Sequence, residues 1–334
     1  MLSKLVRSSA LVAAVVGAAL AMAGDAQADA TTLKIGTLAP GESPWGQVFK
    51  VWKKAVAERS GGNLDLQFFW NGTQGDESAM VGKIRTGQLD GAAITAIGLG
   101  QIYKQVLVLQ LPGLYRDWGK LDNARNQMKG QFDQQFDAQG FKVLGWGDVG
   151  KAHVMSKGFQ VRTPEDLKHK NTYYYYGDPI GPVLYSLVGD VTPKQMNVTE
   201  ILPGLTSGSI NVVTAPALAA EQLQWASRLD NLNTATAAVG IGALVFSSAK
   251  LKSLPADAQN LLVTTGAVTG QALTTRIRNE DDAAFARLKG RMATYEPNAS
   301  DMAAWTKLFA DTRARLRGTV FNAQVFDDAV RYAQ

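Results

Sequence analysis

The chain contains few residues of the types that carry out chemistry. Among its 334 residues are two histidines, His153 and His169, and no cysteine. A thiol nucleophile and a histidine-rich metal site are therefore excluded. The sequence also has no Gly-x-Ser-x-Gly elbow, no Gly-x-x-x-x-Gly-Lys phosphate loop and no His-Glu-x-x-His pair. His153 lies in an apolar, strand-like segment, which favours a buried imidazole bonded to a backbone carbonyl over a catalytic base.

Carboxylates are the remaining candidates for catalysis. A pair that faces each other across a cleft could hydrolyse a glycosidic bond, but nothing in the spacing singles out such a pair. The run 280–282, Glu-Asp-Asp, lies in a predicted helix and is interpreted as a solvated helical face. A hydrolase therefore stays an open alternative, with four carboxylates near predicted strand ends: Glu77, Asp90, Asp148 and Glu200.

Aromatic side chains give a stronger signal, and that signal is for binding. Trp45 follows a Pro-rich loop, 39–44, at the carboxyl end of the first predicted strand. In a predicted strand at 171–176, the alternation of side chains places Tyr173 and Tyr175 on one face. Small-molecule pockets have mostly apolar walls with few polar groups. These aromatic side chains therefore indicate a small-molecule pocket.

The elements that must position these residues alternate between strand and helix, which predicts an α/β protein. Helical periodicity begins at Trp45 and again after Asp76, whose carboxylate suits the positive end of a helix. The segment 163–166, Thr-Pro-Glu-Asp, has the residues of a helix start. Strands are predicted at 33–38, 64–70, 89–95, 141–146, 152–155, 171–176, 210–214 and 240–246.

The length of the chain after its first thirty residues predicts two packed domains. Domain I is assigned to residues 31–152 with 240–265, and domain II to residues 153–239. The segment 255–291 contains no proline after Pro255 and predicts one long helix that touches both domains, with a kink near its first two glycines. Residues 292–334 are predicted to form C-terminal helices that pack on the domains.

Residues 1–30 have the layout of a secretory signal peptide. Lys4 and Arg7 precede a small, apolar stretch, and two overlapping Ala-x-Ala sites follow at 26–28 and 28–30, so cleavage is expected near Ala30. Because a lipid anchor needs a cysteine, the mature protein is expected to be free in a periplasm, with secretion from the cell as the alternative. The net charge of +5 comes without a basic run, so no nucleic-acid partner is expected.

In chain order, the sequence contains Pro44-Trp45, the Asn-Gly-x-x-Gly turn at 71–75, the Leu-Pro-Gly-Leu-Tyr run at 111–115, Gly145-Trp146-Gly147 and Thr163 to Lys168. Together these segments resemble DctP-type receptors of TRAP (tripartite ATP-independent) transporters. The resemblance implies a two-domain periplasmic-binding-protein fold with crossing hinge strands, a long domain-bridging helix and a cleft that closes on its ligand. It also implies delivery of a solute to TRAP membrane permease subunits, with no cofactor and no catalysis.

Four positions depart from the pattern of that family, and one of them is Asn211, where an aspartate is usual. An arginine that clamps the ligand's carboxylate falls, by spacing, on Tyr173, and a second arginine falls on Ala152. The asparagine usual near the end of a later strand falls on Ala215. Loss of a charged, bidentate clamp is expected to weaken carboxylate binding by several kcal/mol. A simple dicarboxylate is therefore not the expected ligand.

The leading hypothesis is a ligand with a larger apolar or aromatic body, oriented by hydroxyl groups. One alternative keeps an organic acid, held by Lys151 and the tyrosine hydroxyls. A ligand sensor that partners a membrane signalling protein is another alternative. The candidate ligand-binding residues are Trp45, Glu77, Thr95, Trp146, Lys151, Tyr173, Tyr175, Thr214 and Ala215.

Overall fold

The computed structural model describes residues 30–115 and 117–334. Residues 1–29 of the predicted signal peptide lie outside this range. The first elements are β1 (Thr31–Thr37), α1 (Pro44–Arg59), β2 (Leu64–Phe69), α2 (Glu77–Arg85), β3 (Gly91–Thr95), α3 (Ala96–Ile102), a 3₁₀ turn (Lys104–Gln110) and α4 (Trp118–Ala138).

The remaining elements include the two longest strands and the longest helix. The middle of the chain forms β4 (Phe141–Ser156), a 3₁₀ turn (Pro164–Leu167), β5 (Tyr173–Tyr175), α5 (Ile180–Val188), β6 (Lys194–Met196), α6 (Val198–Ser207), β7 (Val212–Pro216), α7 (Ala217–Gln222) and a 3₁₀ turn (Trp225–Arg228). The last elements are β8 (Asn231–Asn233), β9 (Ala238–Ser247), α8 (Ser248–Ser253), α9 (Ala256–Lys289), β10 (Ala293–Tyr295), α10 (Ala299–Leu316) and α11 (Ala323–Tyr332).

Local chemistry explains where the first helices begin. The Ser43 hydroxyl accepts a hydrogen bond from the Gly46 amide, and proline occupies the first turn of α1. The Asp76 carboxylate accepts one from the amide of Ala79 at the start of α2. Both helices follow the carboxyl ends of strands, and β1 pairs in parallel with β2 and β3 as the alternation predicted. This arrangement brings the ends of β1 and β3 to the same edge of the sheet.

Most strands form one mixed sheet of eight strands. Its order is β10-β8-β4-β9-β3-β1-β2, and β7 pairs with β4 beside this path. The strands β5 and β6 form a separate two-stranded sheet. Within the large sheet, β4 and β9 run antiparallel from Phe141 opposite Ser247 to Ala152 opposite Ala238. From Ala152 onward β4 pairs instead with β7. The two strands therefore cross together between the two halves of the molecule.

The strand β4 corrects the prediction of two separate strands, 141–146 and 152–155. It is one strand of 16 residues. Gly145, Gly147 and Gly150 suggested a break, but they lie within the pairing with β9, which has register shifts at Val143/Gly145 and Asp148/Gly150. The assigned domain boundaries remain a prediction; Ala152, where β4 changes its partner, coincides with the last residue of the first segment of domain I.

The long helix α9 has 34 residues and contacts β4, α1 and α7. The Trp52 indole nitrogen of α1 donates a hydrogen bond to the Thr265 hydroxyl, at 3.0 Å. The glycines of α9 do not end the helix but let it approach β4. A Cβ atom built on Gly270 would lie 2.6 Å from the Trp146 carbonyl oxygen, and one on Gly266 would lie 2.6 Å from the Leu144 Cβ.

Replacement of Gly270 by alanine is expected to lower the free energy of unfolding by about 2 kcal/mol, because the added methyl group meets backbone atoms that cannot rotate away. The matched control is Gly130→Ala in α4, where a Cβ meets no atom within 4 Å. That change is expected to stabilise the protein by about 0.5–1 kcal/mol, through helix propensity alone. Urea unfolding of both variants measures the two effects. Equal changes in the two variants would show that α9 does not pack tightly on β4.

Candidate functional site

A cavity of about 360 Å³ lies between the two halves of the molecule. The crossing strands β4 and β9 form its floor. The loop after β1 and the first turns of α1 close one side, and the ends of β3 and β7 contribute to the walls. The segment 173–176 faces it from the opposite half. Seven of the nine predicted site residues line this cavity: Trp45, Glu77, Thr95, Tyr173, Tyr175, Thr214 and Ala215.

Trp45 is held in the wall by both its backbone and its indole. It follows the proline at the start of α1, so its position is set by the cap at Ser43. The indole nitrogen donates to the carbonyl oxygen of Asp148 in β4, at 3.4 Å. Trp45 is half-buried and presents its remaining surface to the cavity. The indole can therefore stack on an apolar or aromatic ligand without reorganisation.

Glu77 lies in the wall but is fully engaged in hydrogen bonds. Its carboxylate accepts bonds from the Thr95 amide at 2.6 Å, the Thr95 hydroxyl at 2.7 Å and the Gly98 amide at 2.8 Å. It is 4% exposed, and burial raises its pKa, whereas the bonds from Thr95 and Gly98 lower it. Glu77 thereby joins α2 to the start of α3. Its main contribution is to fix Thr95 at the cavity edge.

Tyr173 and Tyr175 contact each other through both their rings and their hydroxyl groups. Their ring centroids are 5.1 Å apart in an edge-to-face arrangement. The Tyr173 hydroxyl lies within donating distance of the Tyr175 hydroxyl, 3.1 Å, and of the Thr214 carbonyl oxygen, 3.3 Å. Burial raises the pKa of both tyrosines, so both phenols are neutral at physiological pH. The predicted shared face of this strand is therefore a hydrogen-bonded unit that links β5 to β7.

Two predicted site residues, Trp146 and Lys151, lie outside the cavity lining. Trp146 packs among Phe132 and Phe136 of α4, with ring centroids 6.3 and 6.2 Å away. The ammonium of Lys151 is 3.1 Å from the Asp282 carboxylate and lies over the Trp118 ring. Their neighbours Gly147 and Ala152 line the cavity, so side-chain alternation along β4 turns Trp146 and Lys151 to the opposite face.

Over residues 30–115 and 117–334, the lining of the cavity contains acidic side chains but no basic ones. Among the described residues that line it there is no lysine, arginine or histidine, and the charged residues are Asp76, Glu77, Asp148 and Asp178. Asp148 is paired from behind the wall, with Arg125 and Arg278 each at 2.7 Å. Asp178 accepts bonds from the amides of Ile180 and Gly181 at the start of α5, at 2.8 and 3.2 Å, and burial raises its pKa. An anionic ligand would meet no counter-ion here.

Several lining residues were not identified from the sequence. They include Tyr185 and Leu184 of α5, Trp225, and Trp305 and Phe309 of α10. Burial raises the pKa of Tyr185 to about 12, and its hydroxyl donates to the Tyr173 carbonyl oxygen at 3.2 Å. The uniform apolarity of α5, Ile-Gly-Pro-Val-Leu-Tyr-Ser-Leu-Val, was the available signal, since a surface helix is normally amphipathic.

The family of the chain follows from comparison with known proteins. The model of DctP, the bacterial extracellular solute-binding protein family 7, matches residues 35–316. The chain belongs to this family. A solute-binding protein of Verminephrobacter eiseniae is 26% identical over 185 residues, which are 54% of each chain, so the chain spans about half the length of this curated relative. Proteins of the family are substrate-binding receptors, and TRAP solute-binding proteins are periplasmic.

Solved structures of TRAP receptors share the fold of this DctP protein. The TRAP periplasmic solute-binding protein of Sulfurospirillum deleyianum, with bound succinate, superposes with a TM-score of 0.82 at 16% identity, over 91% of this chain and 98% of that one. The sugar-acid-binding protein DctPAm of Advenella mimigardefordensis, in complex with galactonate, gives 0.86 at 13% identity over the same shares. The predicted α/β periplasmic-binding-protein fold is thereby confirmed.

The prediction that the acidic run 280–282 of α9 forms a solvated helical face is wrong for its middle residue. Asp281 is not on a solvated face: it is 1% exposed and accepts bonds from the amides of Lys151 and Leu218, at 2.8 and 2.9 Å. Successive residues of a helix point about 100° apart, so the middle residue of the run can be buried while Asp282 remains exposed.

Within residues 30–115 and 117–334 no three His, Cys, Asp or Glu side chains form a metal-ion cluster, and no helix is long and apolar enough to cross a membrane.

Proposed function

We propose that this DctP protein is a periplasmic receptor that captures a small organic solute in the cavity and delivers it to a TRAP membrane permease. We further propose that its ligand is more apolar or aromatic than a simple dicarboxylate. One observation carries the second proposal: aromatic side chains wall the cavity, and no described lining residue is cationic. Apolar walls with a few hydroxyl groups select ligands by shape and by burial of apolar surface.

A dicarboxylate fits this cavity poorly for an electrostatic reason. The positions of the family's clamping arginines hold the phenol of Tyr173 and the methyl group of Ala152, and both residues line the cavity. A bound carboxylate would lose its hydration and would also face the acidic side chain of Asp178, and no described lining residue is a cation that could pair with either group. Burial of an unpaired charge costs several kcal/mol. The protein therefore discriminates against small dianions.

The alternative organic-acid receptor requires a cation at the ligand. Lys151 was its candidate, but the Lys151 ammonium contacts Asp282 and lies outside the cavity lining. The hydrolase alternative requires two available carboxylates. Of those that line the cavity, Asp76, Glu77 and Asp178 are bonded to backbone amides, and Asp148 is held by two arginines. Capture and delivery agree better with these contacts than catalysis does.

A thermal-shift screen tests the proposed ligand class. Neutral aromatic and alicyclic solutes at about 100 times their dissociation constant are expected to stabilise the protein by about 2.7 kcal/mol, a rise in Tm of about 4 °C. Succinate and malate are expected to give no shift in the wild type. In Tyr173→Arg, which restores a guanidinium, they are expected to stabilise the protein, whereas Tyr173→Phe serves as the uncharged control. Stabilisation of the wild type by dicarboxylates alone would refute the proposed ligand class.

A further inference from the structure

The cavity continues beyond the space between Trp45 and Tyr175. It extends past the crossing strands, beneath α5, as far as α10. We call this part the far lobe and define it by Val154, Leu167, Leu184, Trp305 and Phe309, all of which line the cavity. These residues belong to, or pack against, a hydrophobic cluster that is separate from the two larger core clusters. The far lobe is therefore an apolar extension of the ligand site into the second half of the molecule.

The helix α5 carries more apolar surface than its contacts within the protein bury. Its sequence is almost wholly apolar, yet Val188 is its one buried residue. Ile180, Val183, Leu184 and Leu187 are half-buried, although α5 contacts α10. Ile180 and Leu184 line the cavity. Apolar side chains gain free energy when they leave water, so an occupant of the far lobe would complete the burial of this helix.

The polar groups at the entrance of the far lobe already have partners. The Tyr185 hydroxyl donates to the Tyr173 carbonyl oxygen, and Asp178 accepts two amides of α5. Within the lobe, the Trp305 indole nitrogen donates to the Arg162 carbonyl oxygen at 2.8 Å. These groups offer little to a polar ligand. A hydrocarbon chain requires no such partner, which makes it the matching occupant.

We propose that the ligand is an elongated amphiphile with an uncharged head group. Its head lies at the hydroxyls of Thr95 and Tyr175. Its hydrocarbon tail runs over the face of β4 and enters the far lobe between α5 and α10. The head is uncharged because no described lining residue supplies a cation to an anionic head. This inference rests on the proposed receptor function and adds the shape and length of the solute.

A chain-length series tests the inference directly. The probes are straight-chain primary alcohols, with n-alkanoates of equal length for comparison. Binding is followed by tryptophan fluorescence, since Trp45, Trp225 and Trp305 line the cavity at both ends. The affinity for alcohols is expected to rise about fourfold with each methylene group, from roughly four carbons until the far lobe is filled. Alkanoates are expected to bind at least tenfold more weakly at every length.

Leu184→Trp should fill part of the far lobe. In this variant the rise in affinity is expected to stop several carbons earlier, while the affinity for the shortest alcohols stays unchanged. Val51→Trp is the matched control, because Val51 is an exposed residue of α1, 67% accessible, and its wild-type length dependence should persist. Leu184→Phe, a smaller change, should move the limit by fewer carbons and covers the case in which the tryptophan variant does not fold.

Each outcome has a definite meaning. If both Leu184 variants bind all lengths like the wild type, the far lobe does not receive the ligand and the inference is wrong, although the receptor function stands. If alkanoates bind more tightly than alcohols, the uncharged head is wrong. If no alcohol binds while dicarboxylates do, the proposed ligand class itself fails.

Discussion

Asp148→Ala is expected to reduce the free energy of unfolding by about 3–5 kcal/mol, because it leaves the buried guanidinium of Arg125 and the half-buried one of Arg278 with a single carboxylate, Asp122, between them. The Asp148 side chain is fully buried in the floor of the cavity. Arg125 and Arg278 reach it from α4 and α9, each at 2.7 Å. Both arginines also bind Asp122, at 2.8 and 2.6 Å. The pairs thus tie the long helix, α4 and the crossing strand together.

The size of this effect depends on burial, and an exposed pair provides the control. Lys307 and Asp311 of α10 form an ion pair at 2.6 Å whose side chains are 76% and 46% exposed. Asp311→Ala is expected to cost less than about 0.5 kcal/mol, since solvent screens the pair. Urea unfolding at low and high salt separates the two cases, because salt screens the exposed pair and leaves the buried one largely unchanged. Similar losses in the two variants would show that solvent reaches Asp148.

The fold was predictable from the sequence where local properties of the chain determine it. The parallel strands β1, β2 and β3, the loop at Trp45 and the long helix follow from periodicity and caps, which are local properties. The role of Gly266 and Gly270 was not predictable, because it depends on a contact with Leu144 to Trp146 that lies more than a hundred residues away. Periodicity reports where a helix lies but not how close its neighbour comes.

The candidate site divides in a similar way. Trp45, Tyr173 and Tyr175 were predicted from the sequence and line the cavity, because each occupies a strand or loop whose direction is set locally. Trp146 and Lys151 lie outside the lining because they alternate along β4 with Gly147 and Ala152, which line the cavity. The walls formed by α5 and α10 were missed because tertiary packing alone brings residues near 184 and 305 to one cavity. Sequence spacing carries no information about such approaches.

Two buried groups at the crossing strands are expected to give opposite pH dependences of stability. The His153 ring stacks on Phe285 of α9 at 4.2 Å, and its Nδ1 is 3.1 Å from the Ala235 carbonyl oxygen. Burial lowers its pKa to about 4, with a smaller contribution from Lys151. Burial of Asp281 raises its pKa to about 6, against the two amide bonds that favour its charged form. The first group favours the folded state at neutral pH and the second at acidic pH.

The signs follow from proton uptake. Below pH 6.5 the unfolded chain protonates His153 while the folded protein does not, so this group lowers the free energy of unfolding as the pH falls toward 4. Below pH 6 the folded protein protonates Asp281, whereas the unfolded chain does so near 3.8, so this group raises the free energy of unfolding over that window. In the wild type the two contributions largely oppose each other.

Removal of either group is therefore expected to reveal the pH dependence of stability that the other group contributes. Between pH 7 and pH 5, Asp281→Asn should lose about 2 kcal/mol of stability beyond its own cost at pH 7, and His153→Gln should gain about 1 kcal/mol. The two profiles should separate by about 3 kcal/mol over this range. Urea unfolding at intervals of half a pH unit measures the slopes, and contributions from other titrating groups cancel when the two variants are compared. Parallel profiles would show that neither group is buried in the charge state described, because only a shifted pKa can tilt them in opposite directions.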